Sequence, residues 1–409
     1  LISMGELEAK GVGTFGTFSN ILNSFFGSGV LGLPYAFRMS GWFAGSVTLL
    51  LIACISRYCM ELLLNCRALV MDKDIKEEEA EHRSQGSYGD IGEAAFGSNG
   101  KLIVNIALCF TQTGFCCVYM IFLGNNLHSI FPHIAMKTFV FYCCVALIFV
   151  SWLRSLKWLS PFSLFAELCT IIGLIIVNVY AAFFYESTEE VIITAIEPTT
   201  FPIFFGIATA AYEGIGLVIP IQQSMKEPEK YSYLLNVSMT CVTLFFIVTS
   251  VTSYFCFGQQ TESIITLNLP HNSLADIIKL TLCAAIFFTY PIQLFPVIQI
   301  IEKGIFGFER TTTAPPETNE EMAKRNTLRT ILVIFTALAA ISIPHFGEVI
   351  GLIGSIGAGM LAFILPATFY YKLFGSQLDQ KSKIILYAVM GFGILGGIAA
   401  SCDAILYGE

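Results

Sequence analysis

Apolar runs of about 20 residues recur from one end of this chain to the other, the length a helix needs to cross a ~30 Å hydrocarbon layer. In lipid only helices and closed barrels satisfy their own backbone. Continuous apolar runs, rather than alternating ones, select helices. Eleven spans are predicted, at about residues 12–38, 41–68, 101–131, 137–153, 160–185, 201–224, 231–257, 275–302, 327–343, 346–372 and 382–406. The chain therefore reads as an all-α polytopic membrane protein.

Composition agrees and narrows the function. Apolar residues make up 55% of the 409 and charged ones 13%, against about a quarter charged in soluble domains. A net charge of −8 provides no basic footprint for nucleic acid. No HExxH, Gly-x-Ser-x-Gly or paired intramembrane Asp motif is present, so an enzyme is not expected. No Cys-x-x-Cys pair points to zinc, and neither a metal nor another cofactor is expected. Most of the thiols read as small buried hydrophobes, with a Cys256–Cys402 disulfide as the minor alternative. Leu1–Lys10 has no apolar core and does not read as a signal peptide.

The cations set an orientation. Arg57 lies within span 2, and Arg38, Lys137 and Lys279 fall on one side. The remaining 18 of the 22 Lys and Arg fall on the other, which is then cytosolic. The N-terminus is predicted to be cytosolic and the C-terminus lumenal or extracellular. Two polar stretches, 70–100 and 303–326, are predicted cytosolic loops.

An internal symmetry points to function. Span 1 carries Gly27-Ser28-Gly29 with Pro34 beyond it, and span 6 carries Gly214-Ile215-Gly216 with Pro220 beyond it. The two elements are 187 residues apart and open successive five-span blocks. Because five is odd, the second block inserts inverted. The predicted organisation is a segment 1–11, a repeat 12–185, an inverted repeat 186–372, and an eleventh span in 373–409. Glycine and proline both weaken a helix at these points. Interrupted helices in matching positions of an inverted repeat point to a transporter's central site.

Such a site has a definite chemistry. Helix N-termini offer unpaired N–H groups to a carboxylate. Free carbonyls at the other break suit an ammonium group. A zwitterionic amino acid fits both. Gly27, Ser28 and Gly29 are the candidates for the carboxylate. The carbonyls around Ala210, Ala211 and Tyr212 are the candidates for the amine, with Gly214 and Gly216 forming the break. Tyr212, Tyr119 and Phe288 are expected to limit side-chain volume. Glu213 in the break and Glu167 in span 5 are candidate proton carriers, since ionisable groups at membrane depth are costly to keep without use. For each, a purely structural carboxylate is the alternative. Arg57 and Glu61, one turn apart, are expected to pair.

Four segments also carry a resemblance: Phe25–Phe37 (FFGSGVLGLPYAF), Thr111–Tyr119 (TQTGFCCVY), Ala211–Pro220 (AYEGIGLVIP) and Phe288–Pro296 (FTYPIQLFP). They resemble the amino acid/auxin permease family, in particular the animal proton-coupled and the plant and fungal vacuolar amino acid transporters. The resemblance implies the five-plus-five inverted-repeat fold of the amino acid–polyamine–cation superfamily, with helices 1 and 6 broken and one helix added. It implies alternating-access transport of small neutral amino acids such as alanine, glycine or proline, with protons as the coupling ion. A vacuolar or lysosomal membrane is implied, with the plasma membrane as alternative. In related folds a sodium ion lies between the span 1 break and a span 8 hydroxyl, which here would be Thr289. Sodium symport, uncoupled exchange and a non-transporting sensor or structural subunit are the alternative functions. Two departures concern coupling. Tyr58 stands before Cys59-Met60 where proton-coupled members often have His, and a phenol with a pKa of about 10 carries protons poorly near neutrality. Gln222-Gln223 stands where the family often has Glu-Asn.

Overall fold

The computed structural model describes residues 11–76, 86–152, 160–184, 191–270, 272–307 and 318–406. Helix fills the apolar runs. The first run is two helices, α1 (Thr14–Asn23) and α2 (Ser28–Ser40), followed by α3 (Trp42–Lys76). Then come α4 (Tyr88–Phe96), α5 (Ser98–Ile130), α6 (Met136–Ser151) and α7 (Ser160–Phe184). The sixth run is again two helices, α8 (Phe201–Ala211) and α9 (Ile215–Gln223). They are followed by α10 (Tyr231–Phe257), α11 (Ser273–Phe306), α12 (Asn319–Ser342), α13 (Phe346–Ile353), α14 (Leu365–Phe374) and α15 (Gln380–Leu406). Among the described residues, eight helical segments are long and apolar enough to cross a membrane, counting α8–α9 and α13–α14 as one each. Two shorter apolar helices, Met136–Ser151 and Leu168–Phe183, accompany them. Outward faces are apolar: Ile331, Phe335 and Leu338 on α12 are each more than half exposed. In water such a stripe would be a liability, whereas hydrocarbon covers it.

The described parts of two polar stretches contain helix that their composition did not suggest. The 70–100 stretch contains α4, whose N-terminus is held by a Ser87–Asp90 capping box. Helix α12 starts at Asn319 behind a Thr318–Glu321 capping box, eight residues before the predicted span 9. Each box satisfies two N–H groups that apolar periodicity does not register. All thirteen thiols are free, so the minor Cys256–Cys402 alternative is corrected. Arg57 and Glu61 pair at 2.5 Å, as their spacing predicts.

Between α13 and α14 the helix widens into two π turns, Gly354–Ala358 and Met360–Ile364. In a π turn the carbonyl of Leu361 faces the nitrogen of residue 366, which is proline and has no N–H. The Tyr88 hydroxyl of α4 donates to that carbonyl instead, at 2.8 Å. At the chain's entry to α1, one isolated parallel bridge joins Val12 to Met225. Val12 N–H donates to Ser224 O at 2.6 Å, and Lys226 N–H donates to Val12 O at 3.0 Å.

Close packing places α8 against the π region through bare backbone. A Cβ on Gly354 would lie 1.9 Å from the Gly206 carbonyl oxygen, and one on Gly206 would lie 2.2 Å from Gly351 O. Small residues at such crossings let membrane helices touch. Gly354→Ala is expected to destabilise the protein by about 2 kcal/mol or more, because a carbonyl cannot rotate away. Gly391→Ala on α15, with nothing within 4 Å of the new Cβ, is expected to be neutral or slightly stabilising. Thermal unfolding in detergent compares them; equal melting of G354A and wild type would refute the contact.

Candidate functional site

The break between α1 and α2 is an uncapped helix start. Gly27 is the N-cap, with extended backbone (φ −106°, ψ −163°) and no side-chain cap. The N–H groups of Ser28, Gly29 and Val30 have no acceptor inside α2, as in the first turn of any helix. Ser28 is buried, and its Oγ makes no hydrogen bond among the described residues. The break between α8 and α9 frees carbonyls as well, although α9 also starts without a side-chain cap, at Gly214. Tyr212 N–H reaches back to Ala208 O and Thr209 O, and Glu213 N–H to Ala210 O at 3.2 Å. Among the described residues no backbone N–H donates to the carbonyls of Ala211, Tyr212 or Glu213. The free carbonyls therefore begin at Ala211 rather than at Ala210.

Both breaks face one cavity of about 1650 Å³. Of the residues expected at the site, Gly27, Ser28, Gly29, Tyr119, Ala210, Ala211, Glu213, Gly214, Gly216 and Thr289 line it. Tyr212 and Phe288 are not among its lining residues. Tyr212 is fully buried, donates to Thr243 Oγ1 at 2.8 Å, and presents its ring to Phe25 at 6.2 Å between centroids. Phe25 lines the cavity in its place. Phe288 packs its ring against Phe287 at 5.6 Å. The side chain of Glu167 lies outside the described residues.

The glycines divide into two roles. A Cβ on Gly29 would lie 2.6 Å from Ala211 Cα, so Gly29 is where the two broken helices touch. A Cβ on Gly27 would meet only the Tyr119 hydroxyl, at 3.9 Å. Gly27 therefore leaves room for a ligand, and Gly29 leaves room for a helix.

Polar groups extend the site along one path. Gln112 on α5 and Gln293 on α11 line the cavity, and Gln293 Nε2 donates to Gln112 Oε1. Neither was singled out in the sequence, although both interrupt apolar runs, and Gln293 follows Thr289 by one helical turn. The Thr289 hydroxyl donates to Ala285 O at 2.9 Å. Glu213 is half-buried on the wall, and its Oε1 makes no hydrogen bond among the described residues. The path continues to Asn105, Lys101, Glu302, Arg325 and Arg329. There Glu302 lies 3.8 Å from Arg325 and 3.5 Å from Arg329, which also donates to Ser151 O at 2.9 Å. Gln222, at the family departure, accepts from Arg67 at 2.8 Å. The opposite end is packed. Phe346, 1% exposed, would contact a Cβ on Gly32 at 3.2 Å and faces Phe122 at 6.5 Å. Arg38 donates to Thr261 O at 3.0 Å beside buried Ile264 and Ile265. The cavity thus opens toward the end that carries α4 and the Glu302, Arg325 and Arg329 cluster. No group of three His, Cys, Asp or Glu placed to hold a metal occurs among the described residues.

A family model described as transmembrane amino acid transporter protein matches residues 10–405. The chain belongs to this amino acid transporter family. It is 33% identical over 408 residues to the amino acid transporter ANT1 of Arabidopsis thaliana, covering 95% of this chain and 91% of that one. It is 28% identical to vacuolar amino acid transporter 3 of Saccharomyces cerevisiae, covering 91% of this chain and 54% of the yeast protein. Among solved structures it resembles MhsT in complex with L-phenylalanine, at TM-score 0.52 and 12% identity over 96% of this chain and 98% of that one. It also resembles a manganese transporter of Eremococcus coleocola, at TM-score 0.53 and 9% identity over 96% and 93%. These likenesses show the transporter fold. Family membership makes this a multi-pass membrane protein and not an enzyme.

The two glycine roles can be separated. Gly27→Val is expected to lower amino acid binding at least ~100-fold while costing only about 1 kcal/mol of stability at the cap. Gly29→Val is expected to destabilise the fold itself. Scintillation proximity binding with parallel melting curves tests both; wild-type affinity in G27V would remove the α1–α2 break from the site.

Proposed function

We propose that this protein is a secondary transporter of small neutral amino acids, of the alanine, glycine and proline class, working by alternating access. One observation carries the reading: an uncapped helix N-terminus and a set of free carbonyls face the same cavity within the membrane. The first attracts a carboxylate and the second an ammonium group. An α-amino acid presents both on one carbon. The cavity, open at one end and packed at the other, supports an inward-open state under the orientation set by Lys and Arg. That orientation places the N-terminus in the cytosol and the C-terminus across the membrane. Eleven spans in two inverted five-helix repeats plus one helix account for the matching positions of the breaks. Similarity to a yeast vacuolar transporter supports the vacuolar membrane as the location.

Protons are the proposed coupling ion and Glu213 the carrier. It sits in the break, on the cavity wall, with one carboxylate oxygen unpartnered. A proton taken up there neutralises a charge that the closed cavity would otherwise have to desolvate. Sodium at Thr289 is the alternative: that hydroxyl donates to Ala285 O, which leaves its oxygen lone pairs open to a cation.

Uptake of radiolabelled alanine and proline into proteoliposomes tests the function. Accumulation is expected with a proton gradient and not with sodium alone. Alanine binding without accumulation or exchange would favour a sensor. Glu213→Gln cannot exchange a proton, so the variant is expected to retain alanine exchange and lose its pH dependence. Surviving pH dependence would make Glu213 a structural carboxylate.

A further inference from the structure

We propose that Gln112 and Gln293 form a second amino-acid subsite, on the inner passage between the two breaks and the cavity mouth. The inference rests on the reading of the breaks as the primary substrate site.

Position comes first. Gln112 lies about two helical turns from Tyr119 along α5, on the side of Lys101. Gln293 lies about one turn beyond Thr289 along α11, on the side of Glu302. Both line the cavity, so the pair stands roughly 10 Å from the breaks along the path to the mouth. A substrate leaving the breaks toward the open end passes it.

Chemistry comes second. A primary amide carries an acceptor oxygen and two N–H donors. In the observed bond Gln293 donates and Gln112 accepts. Among the described residues, that leaves the Gln293 oxygen as a free acceptor next to the free N–H donors of Gln112. Exchanging O and N in both amides leaves the same pair of functions with the roles swapped. One unengaged acceptor beside one unengaged donor set matches an ammonium and a carboxylate on a single carbon. The match is uncharged on the protein's side, so it holds a zwitterion weakly and lets it go. Between the breaks and the ion cluster at Glu302, this pair replaces hydrogen bonds that the substrate gives up on leaving the primary site. A zwitterion that gives up its bonds at the breaks with no partner to take their place faces a desolvation barrier.

The two glutamines therefore act on the rate of passage rather than on affinity at the breaks. The test uses Gln112→Leu/Gln293→Leu, which removes both partners and leaves no orphan amide. Equilibrium binding of radiolabelled alanine to purified protein and its turnover in proteoliposomes are both measured. Turnover is expected to fall about tenfold with the alanine Kd within about twofold of wild type. The amide-retaining Gln112→Asn/Gln293→Asn is expected to keep turnover within about threefold. Where the double leucine variant does not fold, Gln112→Met/Gln293→Met supplies apolar side chains of matched length. Wild-type turnover in the leucine or methionine pair overturns the subsite. A parallel fall in melting temperature and affinity also overturns it, showing the amides to be a structural tie. The primary site is judged separately, by loss of alanine binding in Gly27→Val. Retained binding there would fail the break reading, independently of the amide result.

Discussion

Every backbone N–H and C=O at membrane depth needs a partner, and the whole architecture turns on the two places where the chain withholds one. At Gly27 no side chain caps α2. After Ala210 the carbonyls of the sixth run lose their donors. Such polarity is tolerated only where it lines a cavity. The surrounding helices are arranged accordingly. Gly29 brings α2 into backbone contact with Ala211, which places both breaks on the same space. Gly206 and Gly354 hold α8 against the π turns by the same means. Glycine serves opposite ends at these positions: it removes a cap at one and a spacer at the others.

The polar groups beyond the breaks form a graded series. Near the breaks the wall is backbone, Tyr119, Thr289 and Glu213; then come Gln112 and Gln293; the mouth has Glu302, Arg325 and Arg329. The last three are buried, with Glu302 on α11 pairing with both arginines of α12 and Arg329 also reaching α6. Buried ion pairs of this kind add little net stability, since desolvation offsets much of their attraction. Their geometric effect is to fix three helix ends around the opening.

Much of this was legible in the residues. The apolar runs show where helices form, and the paired Gly-x-Gly elements show where two of them stop. Eight of the ten expected residues that line the cavity lie at the breaks, where the chain exposes its own backbone whichever way the flanking helices turn. Tyr212 and Phe288 were misplaced because their orientation depends on helix phase. Tyr212 follows the last turn of α8, where the periodicity that would aim it ends. Phe288 is one residue, about 100° of rotation, from Thr289, which does face the cavity. The role of Gly29 was invisible because a close approach needs knowledge of the partner helix. Helix α4 was missed because its start depends on a Ser–Asp capping box within a charged stretch.

The bridge at Val12 has a mechanical meaning. The segment entering α1 and the chain leaving α9 are joined by two backbone hydrogen bonds, at Ser224 and Lys226. Those two half-helices come from opposite halves of the chain, and each ends at a break. Laced at their far ends, they form a linkage: a swing of one is transmitted to the other unless both bonds part, at a cost of about 1 kcal/mol each. The two segments are thus tied across the halves of the chain, so that a shift of one carries the other with it.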